Sequence, residues 1–257
     1  MLFRFLVRVL GWLMVASVLA VATYRFVDPP LTPLMVIRMF ETGSPRWVQQ
    51  AVPLGAVSPA LLRAVVAAED ARFLVHHGVD WDALERAREY NERWQGRRLR
   101  GAGTITMQCA RTVYLWPGRS YVRKALEVYL AWLLEAGWGK RRILEVYVNT
   151  VEWGDGVYGV EAAARRYFGL PAARLGEWES ALLAATLPNP RRWDPARPTP
   201  YLRERASIIA TRAARVQLDG LLRAGGAAAA SPPASGRRAR GREVDARGAS
   251  RTRWMTG

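Results

Sequence analysis

Residues 9–24, VLGWLMVASVLAVATY, carry no charged side chain, and Arg4 and Arg8 precede them. Such a run either crosses a membrane or is cut away as an export signal. It falls slightly short of the roughly 20 apolar residues that a bilayer core of about 30 Å requires. Phe5, Leu6 and Val7 extend it once the Arg8 head snorkels to the headgroups. Arginine before the span, and Asp28 soon after Arg25, orient the N-terminus to the cytoplasm and the remainder outward. Ala20-Val21-Ala22 fits a small-x-small cleavage site, so a removed signal is the competing reading, but the length of the run favours a retained anchor. Either way the domain works outside the cytoplasm.

The 257 residues have room for one sizeable domain, and with half of them apolar a real core is expected. A formal charge of +16 calls for an anionic partner: anionic lipid, phosphorylated substrate or nucleic acid. Export, and the lack of a basic motif interleaved with aromatics, argue against nucleic acid. Cys109 is the single cysteine, so neither an intramolecular disulfide nor a cysteine-based zinc site can form. From Ala224 the chain turns to Ala, Gly, Pro, Ser and Arg, which predicts a disordered basic tail. The expected organisation is an anchor over 1–27, a Pro-containing connector over 28–57, a domain over 58–223 and the tail over 224–257.

The domain reads as mainly α. Ser58-Pro59 supplies an N-cap and an N1 proline for a helix through Glu69. Ser120 caps a helix ending near Gly137, and another should span Lys140 to Val148. Further helices fit 159–168, 177–187 and 201–223, the first two closed by Gly169 and Pro188. No alternating strand pattern is visible. Residues 82–99 suit a mobile, membrane-facing flap.

Carboxylates stand where a core is expected. The helix PALLRAVVAAED buries Leu61, Leu62, Val65 and Val66 and delivers Glu69 at its C-terminal end. There the unpaired carbonyls and apolar neighbours raise a carboxyl pKa, which makes a better proton acceptor near neutrality. In YVRKALEVYLAWLLEAG, residues 121–137, apolar residues run nearly all round, implying burial on most sides. Yet Arg123, Lys124 and Glu127 share one face of its first two turns. Between these helices, RGAGTITMQCAR offers backbone amides and the hydroxyls of Thr104 and Thr106, flanked by Arg100 and Arg111. Such a segment can cradle phosphate oxygens. An anchored, exported domain with a base, a second carboxylate and arginines beside an amide-rich loop suits a lipid-linked pyrophosphate sugar.

These residues resemble the peptidoglycan glycosyltransferase domain, in its monofunctional membrane-bound form, in order over roughly 58–210. EDARFLVHHG, residues 69–78, resembles its first motif and GAGTITMQCAR its second. RKALEVYLAWLLE with KRRILEVYVN resembles the third, and GVEAAARRYFG and EWESALLAATLPNPRRWDP the last two. The resemblance implies a lysozyme-like helical fold and an enzyme of cell-wall biogenesis and cell shape in the bacterial inner membrane. Its substrates would be lipid II and the lipid-linked glycan chain, alongside division or elongation proteins. Glu69 would be the catalytic base and Glu127 the second essential carboxylate, acting on the leaving pyrophosphate directly or through a divalent cation, Mg2+ or Mn2+. No organic cofactor is implied. Thr104, Gln108, Arg111, Arg123 and Lys124 would bind the pyrophosphate. Asp70, Phe73, His76, Gly78 and Asn149 would support the site, His76 by shaping the loop beneath Glu69.

The second motif departs from the family pattern. Gly103 stands for Ser, Met107 for Gln, Arg111 for Lys and Thr112 for Asn. Each lost donor weakens substrate binding by about 1 kcal/mol. A catalytically weak lipid II-binding scaffold is the alternative, and a lytic glycosidase of related fold a second. No Ser-x-x-Lys appears, so a transpeptidase function is not expected.

Overall fold

The computed structural model describes residues 1–42, 48–95, 101–118 and 120–223. The tail over 224–257, Arg100 and part of the expected flap lie outside the described residues. The chain is mainly α, as expected. Helix α1, Leu2–Tyr24, is the apolar N-terminal run, and α2, Pro33–Thr42, lies within the expected connector. The domain follows with α3 (Pro59–Glu69), α4 (Trp81–Arg93), α5 (Ile105–Tyr114), α6 (Tyr121–Gly137) and α7 (Gly139–Thr150). It closes with α8 (Val160–Phe168), α9 (Glu177–Thr186), α10 (Pro200–Ala213) and α11 (Asp219–Arg223).

Caps set most of these boundaries. Ser58 accepts from the Ala60 amide and donates to the Leu175 carbonyl at 2.7 Å, so the start of α3 is tied to distant chain. Asp80, Ser120 and Thr199 accept first-turn amides of α4, α6 and α10 in the same way. Gly169 ends α8 in the left-handed conformation at φ 68°, where a Cβ is disfavoured.

Two layers position the site. Helices α3, α9 and α10 pack together, and α5 packs on α6 and α7. One apolar core joins the layers, with Leu61, Val65, Ile105, Leu134, Tyr147 and Leu183 all fully buried. The first layer delivers Glu69; the second carries Arg111, Arg123, Lys124 and Glu127.

Several expectations need correction. Residues 201–223 do not form one helix: the chain turns after Ala213, which lets Leu218 reach the core at 1% exposure, and resumes as α11. Helix α6 is not buried all round. Tyr121, Val122 and Trp132 are exposed, and the buried stripe is Arg123, Glu127, Leu130, Ala131 and Leu134. Residues 82–93 of the expected flap lie in α4, a polar helix with Ala87 turned inward, and Trp94 and Gln95 form a turn after it. Among the described residues there are three strands, β1 (Val48–Gln49), β2 (Glu152–Gly154) and β3 (Val157–Tyr158), ordered β1-β3-β2. The first pair is parallel and the second antiparallel, and strands this short show no alternation.

Helix α1 is not a free tether. Its residues up to Ala16 are exposed, but Val21 is buried against the domain. The Trp138 indole donates to the Val21 carbonyl at 2.6 Å, and Ser17 and Tyr129 share a hydroxyl hydrogen bond of 2.9 Å. Arg142 donates to the carbonyls of Tyr24 and Val27, while Arg25 donates to the Gly137 carbonyl. Arg142 of the domain thus satisfies carbonyls at the end of α1, and Arg25 from that end satisfies the last carbonyl of α6 in return.

Candidate active site

Glu69 is the last residue of α3 and is half-buried. Its Oε2 accepts from Gln108 Nε2 at 2.8 Å, and Gln108 Oε1 accepts from the Tyr147 hydroxyl at 3.1 Å. Burial raises the Glu69 pKa; the Gln108 hydrogen bond and the charges of Arg205 and Arg111 oppose this without cancelling it. Arg205 reaches in from α10, held by its Nε–H on the Ala185 carbonyl at 3.2 Å. A carboxylate so treated is poised to accept a proton. Beside it opens a cavity of about 220 Å³, lined among others by Asp70, Arg72, Asp80, Arg86, Gly103 and Thr104.

The loop after Glu69 is clasped to α5. Asp70 Oδ2 accepts from the Ile105 amide and from His76 Nε2, both at 2.9 Å. The Thr104 hydroxyl donates to the Gly78 carbonyl at 2.6 Å and accepts from the Met107 amide as the cap of α5. Gly78 sits at φ 88°, and an added Cβ would lie 3.2 Å from the Ala131 carbonyl oxygen, so only glycine fits there without strain. Lys140 completes the floor. It donates to the His76 carbonyl at 2.7 Å and to Glu135 at 2.6 Å, and lies over the Phe73 ring. Asp70, Phe73, His76 and Gly78 therefore fix the loop that follows Glu69. Asn149 is elsewhere: its side-chain amide pairs with both backbone groups of Val52 and braces the chain before α3.

The second carboxylate is enclosed by cations. Glu127 is 3% exposed; its Oε1 is held by Arg123, and its Oε2 lies 3.3 Å from Lys124 Nζ. Burial lowers the Lys124 pKa, and the charges of Arg111 and Arg123 add to the shift. Arg123 Nε is buried without a partner, so this donor is left unspent. Arg111 is exposed, and its charge acts on Glu69, Arg123 and Lys124, so it lies between the two halves of the site.

The amide-rich segment behaves differently from its expected role. Residues from Ile105 are helical, and Thr104 and Thr106 are 3% and 0% exposed. Both hydroxyls are spent internally, Thr104 on Gly78 and Thr106 on Glu135. Thr104 is thus a capping residue, and both ends of the Gln108 amide are engaged by Glu69 and Tyr147 rather than facing a phosphate. Glu127 does not suit a resident divalent cation. It is a lone carboxylate with both oxygens facing cations, and no cluster of three or more His, Cys, Asp or Glu exists among the described residues. Sequence reasoning missed Tyr147, Arg205 and Lys140, which sit at ordinary helical positions with no local signal.

A helical domain that pairs a half-buried carboxylate of raised pKa with a cluster of cations is the kind of arrangement a glycosyl transfer from a phosphate requires. Residues 37–214 match the Transglycosylase family, and the chain belongs to it. The chain is 54% identical over 220 residues to the biosynthetic peptidoglycan transglycosylase of Rhodospirillum centenum, covering 86% of this chain and 94% of that protein. It is 50% identical to the protein of that name from Caulobacter vibrioides, covering 84% of this chain and 91% of that protein. It is 47% identical to the one from Pseudomonas aeruginosa, covering 81% and 90%.

Proposed function

We propose that this chain polymerises lipid II into the β-1,4-linked glycan strands of peptidoglycan, on the outer side of the bacterial inner membrane, with α1 as its single anchor. Glu69 takes the proton of the acceptor sugar 4-hydroxyl. That oxygen attacks the anomeric carbon of the lipid-linked glycan, the C–O bond to phosphate breaks, and the electron pair leaves with the polyprenyl pyrophosphate. Attack opposite the leaving group inverts the anomeric carbon. Arg111, Arg123 and Lys124 meet the charge that develops on the pyrophosphate, and Glu127 holds Arg123 and Lys124 in place.

The observation that carries this reading is that α5 serves both halves of the site. Gln108 on α5 donates to Glu69 at 2.8 Å, Arg111 follows one turn later on the same helix, and α5 packs on α6, which carries Arg123, Lys124 and Glu127. Family membership supports the reaction class. The test is incubation of detergent-solubilised protein with labelled lipid II, separating products by length, with Glu69→Gln in parallel. Polymer from the parent and none from the variant is expected. Polymer from both would remove Glu69 from the role.

A further inference from the structure

We propose that Tyr147 is a positioning residue: its hydroxyl fixes which end of the Gln108 amide faces Glu69, and thereby favours the unprotonated carboxylate. The inference rests on the assignment of Glu69 as the base.

Tyr147 lies on α7, wholly buried, and its hydroxyl donates to Gln108 Oε1 at 3.1 Å. A side-chain amide has one accepting end and one donating end, and a carboxylate can only accept. With Oε1 occupied by the phenol hydrogen, Nε2 is turned toward Glu69 Oε2 at 2.8 Å. The opposite orientation would place Oε1 against Glu69, which only a protonated carboxyl could satisfy. It would also leave the Tyr147 hydrogen without its acceptor inside the core. A proton on Glu69 and the hydrogen of Tyr147 therefore compete for the same amide oxygen.

The competition is one-sided. Burial holds the Tyr147 phenol far above its ordinary pKa, so it remains a donor throughout the working range. The other groups acting on Glu69 are Arg111 from α5, Arg205 from α10 and the adjacent Asp70. The two arginines contribute fixed charges. The Tyr147–Gln108 chain differs from them because its two orientations discriminate directly between protonated and unprotonated Glu69.

The test is the pH dependence of kcat/KM for lipid II polymerisation by full-length protein, for the parent, Tyr147→Phe, Gln108→Met and the double variant. Thermal melts establish that each is folded. Tyr147→Phe should move the acid limb upward by about half a unit or more, and should add no further shift in the Gln108→Met background. An unmoved limb with a reduced plateau, or an equal shift with and without Gln108, overturns the proposal. Gln108→Met must by itself raise the limb, so an unmoved limb in that variant also overturns it, even where Tyr147→Phe fails to fold. Glu69→Gln run alongside separates this failure from the other: turnover surviving in that variant would sink the base assignment instead.

Discussion

The Lys124 ammonium lies 3.3 Å from one oxygen of Glu127, whose other oxygen is gripped by Arg123. Burial and two neighbouring guanidinium charges lower the Lys124 pKa, so as pH rises Lys124 loses its charge before an ordinary lysine does. Turnover should therefore show an alkaline limb below the usual lysine range. Lys124→Arg retains the charge and should move that limb upward, although the wider guanidinium costs some rate at a point-charge site. Initial rates from neutral to alkaline pH decide it; coincident limbs would assign the titration to another group.

Removing Glu127 leaves Arg123 and Lys124 facing each other and Arg111 without an intervening carboxylate. Glu127→Ala should lower stability by about 2 kcal/mol, the cost of breaking a buried ion pair discounted for the solvent around Lys124. Urea midpoints measure this. An unchanged midpoint would mean that the cluster relaxes freely.

Glu69 should impose a stability cost. Its folded-state pKa is raised, so the native protein holds that proton more tightly than the unfolded chain. Stability contributed by the protonated form is lost as pH rises from the ordinary carboxylate range through the raised value. Glu69→Gln should thus be inactive yet more stable than the parent at neutral pH, by about 0.5–2 kcal/mol. The gain should fade in acid below the ordinary carboxylate range. Melting curves at neutral and acid pH test the sign.

Gly103 lines the cavity beside Glu69, and a Cβ there would meet only Gln108 Cγ, at 4.0 Å. Gly103→Ser is therefore free of clashes and restores a hydroxyl donor next to the base. One added hydrogen bond of about 1 kcal/mol corresponds to roughly fivefold in kcat/KM. No gain in lipid II turnover would show that the hydroxyl has nothing to bind.

Deleting residues 1–27 removes the partners of Trp138 and most of those of Arg142. Several hydrogen bonds at roughly 1 kcal/mol each, with the re-exposure of Trp138, predict a melting temperature lower by about 5–10 °C in the same detergent. An unchanged melt would reduce α1 to a passive anchor and reopen cleavage after Ala22.

Where a residue's role depends on its immediate neighbours in sequence, it was legible. Ser58, Ser120 and Gly169 mark helix ends through hydrogen bonds and dihedrals local to them, and the Arg123–Lys124–Glu127 face follows from helical spacing alone. Helix α5 was hidden because Gly101 and Gly103 just before it read as loop and its first residues, Ile105 and Thr106, are weak helix formers. Burial on α6 and α7, with Thr104 as cap, overrides that propensity. Tyr147 and Arg205 come to Glu69, and Lys140 to the loop after it, only through the packing of distant helices, which no local pattern encodes.

The docked end of α1 also sets a height. Residues 2–16, the stretch exposed without interruption, span only roughly 22 Å at 1.5 Å per residue, against a hydrocarbon slab of roughly 30 Å. With α1 as the proposed anchor, the shortfall would draw the domain around Tyr129 and Trp138 down onto the membrane, near the level at which the phosphates of a polyprenyl carrier reside. A carrier lipid would then be engaged by lateral diffusion without being lifted out of the bilayer.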